Sequence, residues 1–367
     1  MTTSHRLPCA RRLLGAMTLV LGSLAAQAAP PMYRITRITP PPGQDYCQVL
    51  GLNDAGQVVG APCQSLAFFV WSQATGGQSY GDPNFPDAVF WPTAINNAGV
   101  VLGSRYQNHE TRNPGFVWDA VNGFRYFGGK VGTFLDARAL NDSNQVAGIR
   151  AVDDGLFVWK AFRWTEADGM TFLKPSANRR TLATDINNAG QIVGTIENLD
   201  TGDRYGVRYE PDGGVTHILS PRQAGSPYAV NELGHAAGAL QTPKKGFQAF
   251  VWAPETGVVD IDDRPLRSDE SYAADMNDAG QVVGMMSWVG SGGNTYEAPF
   301  YWDAATGMRD LTTLLDPSDP LTSQLAGLSA YGTRINAHGQ IVVDGYSVLG
   351  ESWPLLLTPV APLTPRR

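Results

Sequence analysis

The chain alternates short apolar segments with polar turns, and one of these turns recurs seven times. The residue before each copy is always apolar: Leu52, Ile95, Leu140, Ile186, Val230, Met276 and Ile335. The residue after it is always Asn: Asn53, Asn96, Asn141, Asn187, Asn231, Asn277 and Asn336. An apolar run that stops at a turn residue is typical of a β-strand, so each repeat is expected to begin with one.

The fourth residue of each turn tolerates a positive φ. Six copies have Gly there: Gly56, Gly99, Gly190, Gly234, Gly280 and Gly339. The third copy has Asn144, and Asn is one of the few other residues that adopt the left-handed backbone at modest cost. An Asn at the first position can accept a backbone N–H from two residues on. The pattern predicts a hairpin with a type I turn and a bulge. A calcium loop is the competing interpretation, but no copy has the spaced carboxylates that calcium needs.

Two further apolar segments follow each turn. The first has two or three adjacent apolar residues, as in QVVG from Gln57, which indicates a strand covered on both faces. The second ends about twenty residues past the Asn at one repeated position: Trp71, Trp118, Trp164, Tyr209, Trp252, Trp302 and Leu357. An aromatic there could be a ligand platform, but its recurrence in every unit favours packing between units. Another tight turn and a fourth strand follow, as in DAATGMRDL from Asp303.

The seven Asn residues are separated by 43, 45, 46, 44, 46 and 59 residues, a period typical of propellers and solenoids. Four strands in each of seven units predict an all-β, seven-bladed β-propeller with four-stranded antiparallel blades. After SWPLLLTP the last unit has no fourth strand, whereas MYRITRI from Met32 to Ile38 is a strand without a unit. We therefore expect this N-terminal strand to complete the last blade, close the ring and cover an exposed edge. A linear solenoid would have no use for it.

These repeats resemble the extracellular HAF-repeat proteins over about residues 33 to 360. That family joins an Ile-Asn-x-x-Gly-Gln-Val-x-Gly block to a His-Ala-Phe triplet ahead of a Trp. The resemblance implies export and a repeat fold, and it implies no reaction. The His position of the triplet is occupied by other residues in this chain: Ala67, Pro114, Lys160, Tyr205, Gln248, Ala298 and Trp353. No histidine role is therefore carried over.

Residues 1–28 differ from the repeats. MTTSHRLPCARR carries only positive charge, LLGAMTLVLGSLAA is too short an apolar stretch to span a bilayer, and AQA ends at Ala28 with small residues at the cleavage spacing. We expect a signal peptide over 1–28, the propeller over 29–360 and a C-terminal tail over 361–367. The protein is then secreted or periplasmic, with no membrane span after signal removal. An uncleaved anchor is the alternative, and Arg11 with Arg12 leaves the twin-arginine route open beside the general one.

Charge and cysteine content restrict the partners. Removal of residues 1–28 changes the formal net charge from −7 to −10, which argues against nucleic acid as a partner. Cys9 leaves with the signal, and Cys47 and Cys63 then form an even pair in an exported protein. If the strands step regularly outward from Asn53, Cys47 faces Cys63 and a cross-strand disulfide is predicted. Two buried free thiols are the alternative.

The sequence contains no recognisable catalytic motif. The letters Gly-x-Ser-x-Gly occur from Gly77 to Gly81, but a nucleophile elbow needs a strand followed by a helix, and the repeats predict no helix there. There is no His-Glu-x-x-His, Cys-x-x-Cys or phosphate-binding Gly-Lys loop, and we assign neither a cofactor nor a metal. Three functions remain: a module that binds a glycan, peptide or partner protein, a hydrolase or lyase acting on extracellular polysaccharide, and a structural matrix protein. A pair of buried, mutually perturbed carboxylates in the channel would favour the enzyme, and an aromatic-lined rim would favour the binding module.

The variable loops indicate which end of the propeller binds. The turns after strands 1 and 3 of each unit are short and repetitive, whereas the loops after strands 2 and 4 vary in length and composition. Binding residues lie preferentially on variable loops of a rigid frame, so we expect the ligand on that rim or at the channel mouth there. The candidates are Tyr106, His109, Asp153, Asp154, Asp203 and Trp288, and for each one taken alone a solvated loop side chain is the favoured interpretation.

Overall fold

The strands form seven antiparallel sheets in a computed structural model of the chain. It describes residues 30–360 except 45, 63–65, 108–112, 130–133, 153–157, 175–177, 243–245 and 265–268. Consecutive sheets contact each other around a ring, and the last sheet contacts the first. The predicted seven-bladed propeller is therefore confirmed.

Each of the first six blades consists of four consecutive strands. Blade 1 has β2 (Tyr46–Leu52), β3 (Val58–Pro62), β4 (Phe68–Ser72) and β5 (Gly76–Tyr80). Blades 2 and 3 have β6 (Ala88–Ile95), β7 (Val101–Gln107), β8 (Gly115–Asp119), β9 (Gly123–Phe127), β10 (Leu135–Leu140), β11 (Val146–Val152), β12 (Val158–Thr165) and β13 (Gly169–Phe172). Blades 4 and 5 have β14 (Arg179–Ile186), β15 (Ile192–Asn198), β16 (Arg204–Tyr209), β17 (Val215–Leu219), β18 (Gly225–Val230), β19 (Ala236–Thr242), β20 (Gly246–Ala253) and β21 (Gly257–Asp260). Blade 6 has β22 (Glu270–Met276), β23 (Val282–Val289), β24 (Thr295–Asp303) and β25 (Gly307–Asp310).

Blade 7 is built from both ends of the described chain. Its later strands are β26 (Leu325–Leu328), β27 (Arg334–Ile335), β28 (Ile341–Ser347) and β29 (Ser352–Val360), and β1 (Met32–Arg37) pairs with β29. The inner strand is divided into β26 and β27, which both pair with β28. Two 3₁₀ helices, Leu311–Leu314 and Thr322–Gln324, occupy the connection from blade 6, which contributes to the 59-residue interval before Asn336.

Strand β1 closes the ring as predicted. Met32 pairs with Val360, and the antiparallel ladder continues to Arg37. The side chain of Tyr33 is fully buried and contacts Tyr301 of blade 6 edge to face, with ring centroids 6.2 Å apart. The backbone N–H of Ile35 donates to a carboxylate oxygen of Asp319 at 2.9 Å. The strand therefore covers the edge of blade 7 and also packs against the preceding blade.

The repeated Asn organises each hairpin and also joins adjacent blades. In blade 4 the Oδ1 of Asn187 accepts the backbone N–H of Gln191 at 2.9 Å, which shapes the turn. Its Nδ2 donates to the backbone carbonyl of Asn231 in the next blade, also at 2.9 Å. The fourth turn residues have positive φ, including Asn144 at 59°, so the predicted turn is confirmed.

The Asn-to-carbonyl bond occurs at every blade boundary. It links successive blades in the order Asn53 to Asn96, Asn96 to Asn141, Asn141 to Asn187, Asn187 to Asn231, Asn231 to Asn277, Asn277 to Asn336 and Asn336 to Asn53. The seven donor-to-acceptor distances lie between 2.9 and 3.2 Å. All seven residues are buried, so each bond joins a donor and an acceptor that have little access to water. We call this closed circle of side-chain hydrogen bonds the Asn ring.

A Gly in the second strand of most blades accommodates a Phe of the third. Gly60 pairs with Phe69, and a Cβ at Gly60 would lie 2.6 Å from the ring of that Phe. The same pairing joins Gly103 to Phe116, Gly148 to Phe162, Gly238 to Phe250 and Gly284 to Phe300. The Gly that ends QVVG is thus required by packing inside the blade.

The aromatic residues at the end of the third strands pack between blades, as the repeat predicted. Trp164 of blade 3 stacks on Phe127 of blade 2 with ring centroids 4.4 Å apart. Trp118 of blade 2 contacts Phe68 of blade 1 edge to face at 5.4 Å. These contacts bury Trp118 and Trp164 almost completely.

Several predictions concern residues outside the described part. The signal peptide over 1–28, the cleavage site at Ala28 and the tail over 361–367 lie there, and so does Cys63. The β2–β3 ladder has two register shifts, between Tyr46 and Gln48 and between Val49 and Gly51. The regular stepping that placed Cys47 opposite Cys63 therefore does not hold, and the disulfide stays a prediction. Within residues 30–360, no described helix is long and apolar enough to cross a bilayer.

The Asn ring yields a stability prediction. Asn187→Asp keeps the shape of the side chain, but a carboxylate oxygen then faces the carbonyl of Asn231 and the Oε1 of Gln191 instead of a donor. We expect the variant to lose at least about 2 kcal/mol of unfolding free energy, because buried acceptors lose their donor. Urea unfolding at neutral pH measures this loss. The control is Asn294→Asp, which makes the same change at an exposed position. Equal stability of the two variants would contradict the structural role of the ring.

Candidate functional site

The first strands of the blades surround a central channel. Each runs from the end that bears the variable loops to its Asn turn, so residues at the same distance before the Asn lie at the same depth. Three cavities follow one another along this channel. We call them the funnel, at the loop-bearing end, the mid-channel cavity, and the narrow mouth, at the Asn turns.

A β-bulge recurs in the first strand of blades 1 to 6, three residues before the Asn. The ladders to the second strands skip one residue at this place: Leu50, Thr93, Arg138, Thr184, Tyr228 and Ala274. A bulge opposes two residues to one and redirects their side chains. Both the skipped residue and the next one consequently line the channel, as Thr184 and Asp185 do in blade 4.

The funnel has a volume of about 580 Å³ and an aromatic side. Tyr228, Tyr272 and Tyr331 come from blades 5, 6 and 7 and line it together. Tyr272 is held by Phe247, whose ring stacks on it with centroids 5.4 Å apart. Tyr331 is 59% exposed and lies on the segment that interrupts the first strand of blade 7. Three neighbouring blades thus present aromatic faces to one cavity.

Two arginines line both the funnel and the mid-channel cavity. The Nε of Arg138 donates to Asp136 at 2.8 Å, and its Nη1 donates to the carbonyl of Ala183 at 3.4 Å. The Nη1 of Arg334 donates to the carbonyl of Thr333 at 2.9 Å. A guanidinium has five N–H donors, so these bonds leave donors on both side chains for a ligand.

The mid-channel cavity has a volume of about 160 Å³ and two unlike sides. Blades 1, 2 and 3 contribute Gly51, Ala94 and Ala139, two residues before their Asn. At the same position blades 4, 6 and 7 contribute charged residues, namely Asp185, Asp275 and Arg334. The small residues leave space, and the charged ones face it.

Both carboxylates also connect blades. Asp185 accepts the backbone N–H of Ile186 at 2.9 Å and that of Val230 in blade 5 at 2.8 Å. Asp275 accepts the backbone N–H of Met276 at 2.8 Å and that of Ile335 in blade 7 at 2.9 Å. Each carboxylate is therefore fixed by two main-chain donors, one of them from a neighbouring blade.

The position of the two carboxylates changes their acidity. Both are partly buried and line the mid-channel cavity. Burial, together with the negative charge of Asp275, raises the pKa of Asp185 to about 7. Burial also raises the pKa of Asp275, and the charge of Arg334 partly opposes this increase. One proton is thus readily held in the cavity near neutral pH.

The narrow mouth has a volume of about 250 Å³ and an acidic rim. The residues that follow the ring Asn form it, and four of them are acidic: Asp54, Asp142, Glu232 and Asp278. Most of their carboxylates accept a backbone N–H of the preceding blade, for example from Asn97 to Asp142 at 2.8 Å. Burial and the three neighbouring carboxylates raise the pKa of Glu232. Among the described residues, no group of three or more His, Cys, Asp or Glu side chains is placed to hold a metal ion.

The candidates selected from the sequence are dispersed. Tyr106 lies near the end of β7, where burial raises its pKa and where it is 37% exposed. Asp203 belongs to the loop between β15 and β16 and accepts the hydroxyl of Thr201 at 2.8 Å. Trp288 lies on β23 and stacks on Tyr296 at 5.8 Å. None of these three lines the funnel.

The other three candidates, His109, Asp153 and Asp154, lie outside the described residues. A ligand role for any of the six stays a prediction.

Sequence reasoning overlooked the residues that do converge. The signal was present, because the position two before the ring Asn holds Gly or Ala in blades 1, 2, 3 and 5 and a charged residue in blades 4, 6 and 7. A charged residue at a channel-facing position that holds Gly or Ala in other blades is a clearer sequence signal for this candidate site than the variable loops are. The bulge, which decides that this position faces the channel, has no such mark in the sequence.

The comparisons with known proteins agree with this architecture and leave the activity open. Residues 229–347, which span blades 5 to 7 in large part, match a family model described as "Protein of unknown function (DUF3466)". A search with the sequence found no match among curated proteins.

Solved propeller structures are similar in fold. Oligogalacturonate lyase from Vibrio parahaemolyticus is similar with a TM-score of 0.54 and 10% identity, over 88% of this chain and 93% of that one. A prolyl endopeptidase is similar with a TM-score of 0.53 and 10% identity, over 91% of this chain and 51% of that one. Virginiamycin B lyase from Staphylococcus aureus has a TM-score of 0.47 at 9% identity, over 89% of this chain and 99% of that one. At such low identities, the similarity to the oligogalacturonate lyase and to the prolyl endopeptidase shows the fold alone.

The acidity of Asp185 predicts a pH dependence of stability. The pKa in the folded protein, about 7, lies above the ordinary value of 3.8, so the native state holds a proton that the unfolded chain has lost between these values. Stability therefore decreases as the pH rises through that window and levels off above it. Asp185→Asn cannot ionise, and we expect this part of the decrease to disappear. Urea unfolding of both proteins across the window measures it. Parallel curves for the two proteins would show that Asp185 titrates normally.

Proposed function

We propose that the protein is a binding module that takes the end of an extended polymer, a glycan or a peptide, into the funnel. One observation carries this proposal: three tyrosines from adjacent blades and two arginines surround a single cavity of about 580 Å³. Ligand sites are typically clefts of about 300–1,000 Å³ with apolar and aromatic walls and a few polar groups. The funnel has that size and that composition.

The location agrees with the repeat structure. The funnel opens at the end with the variable loops, whereas the other end is lined by residues that are engaged in bonds between blades. The tyrosines offer flat apolar faces with a hydroxyl at the edge, which suit both sugar rings and peptide side chains. The guanidinium groups of Arg138 and Arg334 supply donors deeper in the cavity.

A hydrolase or lyase is the second candidate. The feature that favours it is the pair Asp185 and Asp275, because a carboxyl group that titrates near neutral pH is suited to acid–base catalysis. Similar propellers include proteins named as a lyase and an endopeptidase. We place this candidate second because both carboxylates accept two backbone N–H groups and thereby connect blades.

We also propose that the protein is exported, that residues 1–28 are removed, and that it is related to the HAF-repeat proteins. Cys47 and Cys63 are proposed to be joined in the exported protein. Intact-mass measurement on protein recovered from the periplasm or medium tests two of these points, the removal of residues 1–28 and the disulfide. Cleavage after Ala28 and the loss of two thiol hydrogens each give a defined mass. An uncleaved mass, or two thiols that react with an alkylating reagent without reduction, would disprove the respective point.

The funnel predicts which substitutions abolish binding. We expect Tyr228→Ala and Tyr272→Ala each to weaken capture on a glycan and peptide array by about tenfold or more, because each removes an aromatic face from the cavity. Binding is then quantified for the captured ligand with purified residues 29–367.

Tyr346→Ala is the matched control, because Tyr346 is 46% exposed on blade 7 and does not line the funnel. Equal binding by all three variants would place the ligand elsewhere. A blank array, combined with turnover of a polysaccharide panel that Asp185→Asn abolishes, would favour the second candidate.

A further inference from the structure

The mid-channel cavity lies directly beneath the funnel and shares its lining. Arg138, Arg334, Thr184 and Tyr228 border both spaces, so a ligand end that enters the funnel can continue into the cavity below. The inference that follows rests on the proposed function and concerns the chemical group that enters first. The walls of this cavity carry both signs of charge.

The volume restricts that group. About 160 Å³ accommodates a few water molecules or one small polar group with its nearest atoms. Gly51, Ala94 and Ala139 form the uncharged side, and larger residues there would close the space. The end of a linear chain fits this shape better than a branched or bulky group does.

The two carboxylates retain acceptor capacity towards the cavity. A carboxylate has about four lone-pair sites, and the two backbone N–H groups at Asp185 use two of them. Asp275, on blade 6, likewise accepts two backbone N–H groups, those of Met276 and Ile335. These backbone bonds also fix both groups in position, so a donor between them meets a preformed site.

The charge balance identifies the donor. Asp136, which accepts from Arg138 at 2.8 Å, balances the charge of that guanidinium. Asp185, Asp275 and Arg334 then leave one negative charge in excess when both carboxylates are ionised, and an ammonium group, whose positive charge favours the ionised form of Asp185, would neutralise it. Arg334, with Arg138 above it, offers N–H donors suited to a carbonyl oxygen. A group that combines an ammonium with a neighbouring carbonyl is complementary to this arrangement, and the free amino end of a peptide is such a group.

We propose that the ligand is a peptide with a free amino terminus, whose ammonium group binds between Asp185 and Asp275 and whose first carbonyl accepts from Arg334. The following residues extend upward into the funnel, where Tyr228, Tyr272 and Tyr331 contact their side chains. An amino sugar also has an ammonium group, but it has no carbonyl beside it for the guanidinium.

The test compares matched probes on the mature chain. Degenerate short peptides are anchored by their carboxyl ends, with the amino end either free or acetylated, and glucosamine oligomers form a third set. We expect free peptides to bind at least about tenfold more tightly than acetylated ones, because acetylation removes the charge that the carboxylates recognise. Asp185→Asn and Asp275→Asn should each reduce this preference. Asp278→Asn, which makes the same charge change at the narrow mouth, should preserve it.

The ratio of free to acetylated binding separates recognition from folding, since a purely structural role for the carboxylates would weaken both probes alike. If both Asn variants fail to fold, the ratio in the unsubstituted protein still decides. Equal binding of free and acetylated peptides, with Tyr228→Ala still harmful, would overturn this inference and leave the proposed function intact. Binding of glucosamine oligomers alone would overturn the peptide assignment, and binding of no probe on any array would overturn both proposals.

Discussion

The fold depends on a side-chain amide that satisfies the main chain of its neighbour. In each repeat one Asn holds its own turn through Oδ1 and the next blade through Nδ2, and after seven steps the bonds return to the first blade. A linear array would leave one N–H of the Asn336 amide and one lone pair of the Asn53 carbonyl without this bond at a buried position, which is costly. Closure satisfies both, so the same residue determines the local hairpin and the global ring. The apolar packing of Trp, Tyr and Phe between blades then fills the space that this circle defines.

Function is expected at positions where the residue of one blade differs in type from the equivalent residues of most other blades. The Asn ring and the bulges place equivalent residues at equal depth in the channel, and in most blades the residue beneath the bulge is Gly or Ala. Asp185, Asp275 and Arg334 break that rule on one side, and the tyrosines of blades 5 to 7 line the funnel above them. A regular frame thus fixes the positions of a few side chains that differ from their equivalents in the other blades. The division of the first strand of blade 7, which brings Tyr331 into the funnel, belongs to the same pattern.

The architecture could be predicted from the sequence because the residue pattern of one blade occurs seven times. The Asn turns, the Gly or Asn144 at positive φ, the packing aromatics and the spare strand at Met32 each have a local cause that a single chain displays. The candidate site could not be predicted in the same way. Whether residue 185 faces the channel depends on a bulge, and no residue type marks that bulge. The variable loops drew attention to Tyr106, Asp203 and Trp288, which the frame holds apart. The register shifts in the β2–β3 ladder likewise removed the basis for predicting that Cys47 pairs with Cys63.

The pairing of β1 with β29 has a kinetic consequence. These two strands lie at opposite ends of the propeller sequence, so the pairing that finishes blade 7 must wait until β29 has been synthesised and must overcome the entropy of closing a loop that contains all the other strands. Until then blade 7 presents an unpaired edge, and a second copy of the chain carries a strand that fits it. Exchange of the first strand between two copies would preserve the β1–β29 ladder, so refolding at high protein concentration is expected to favour a domain-swapped dimer.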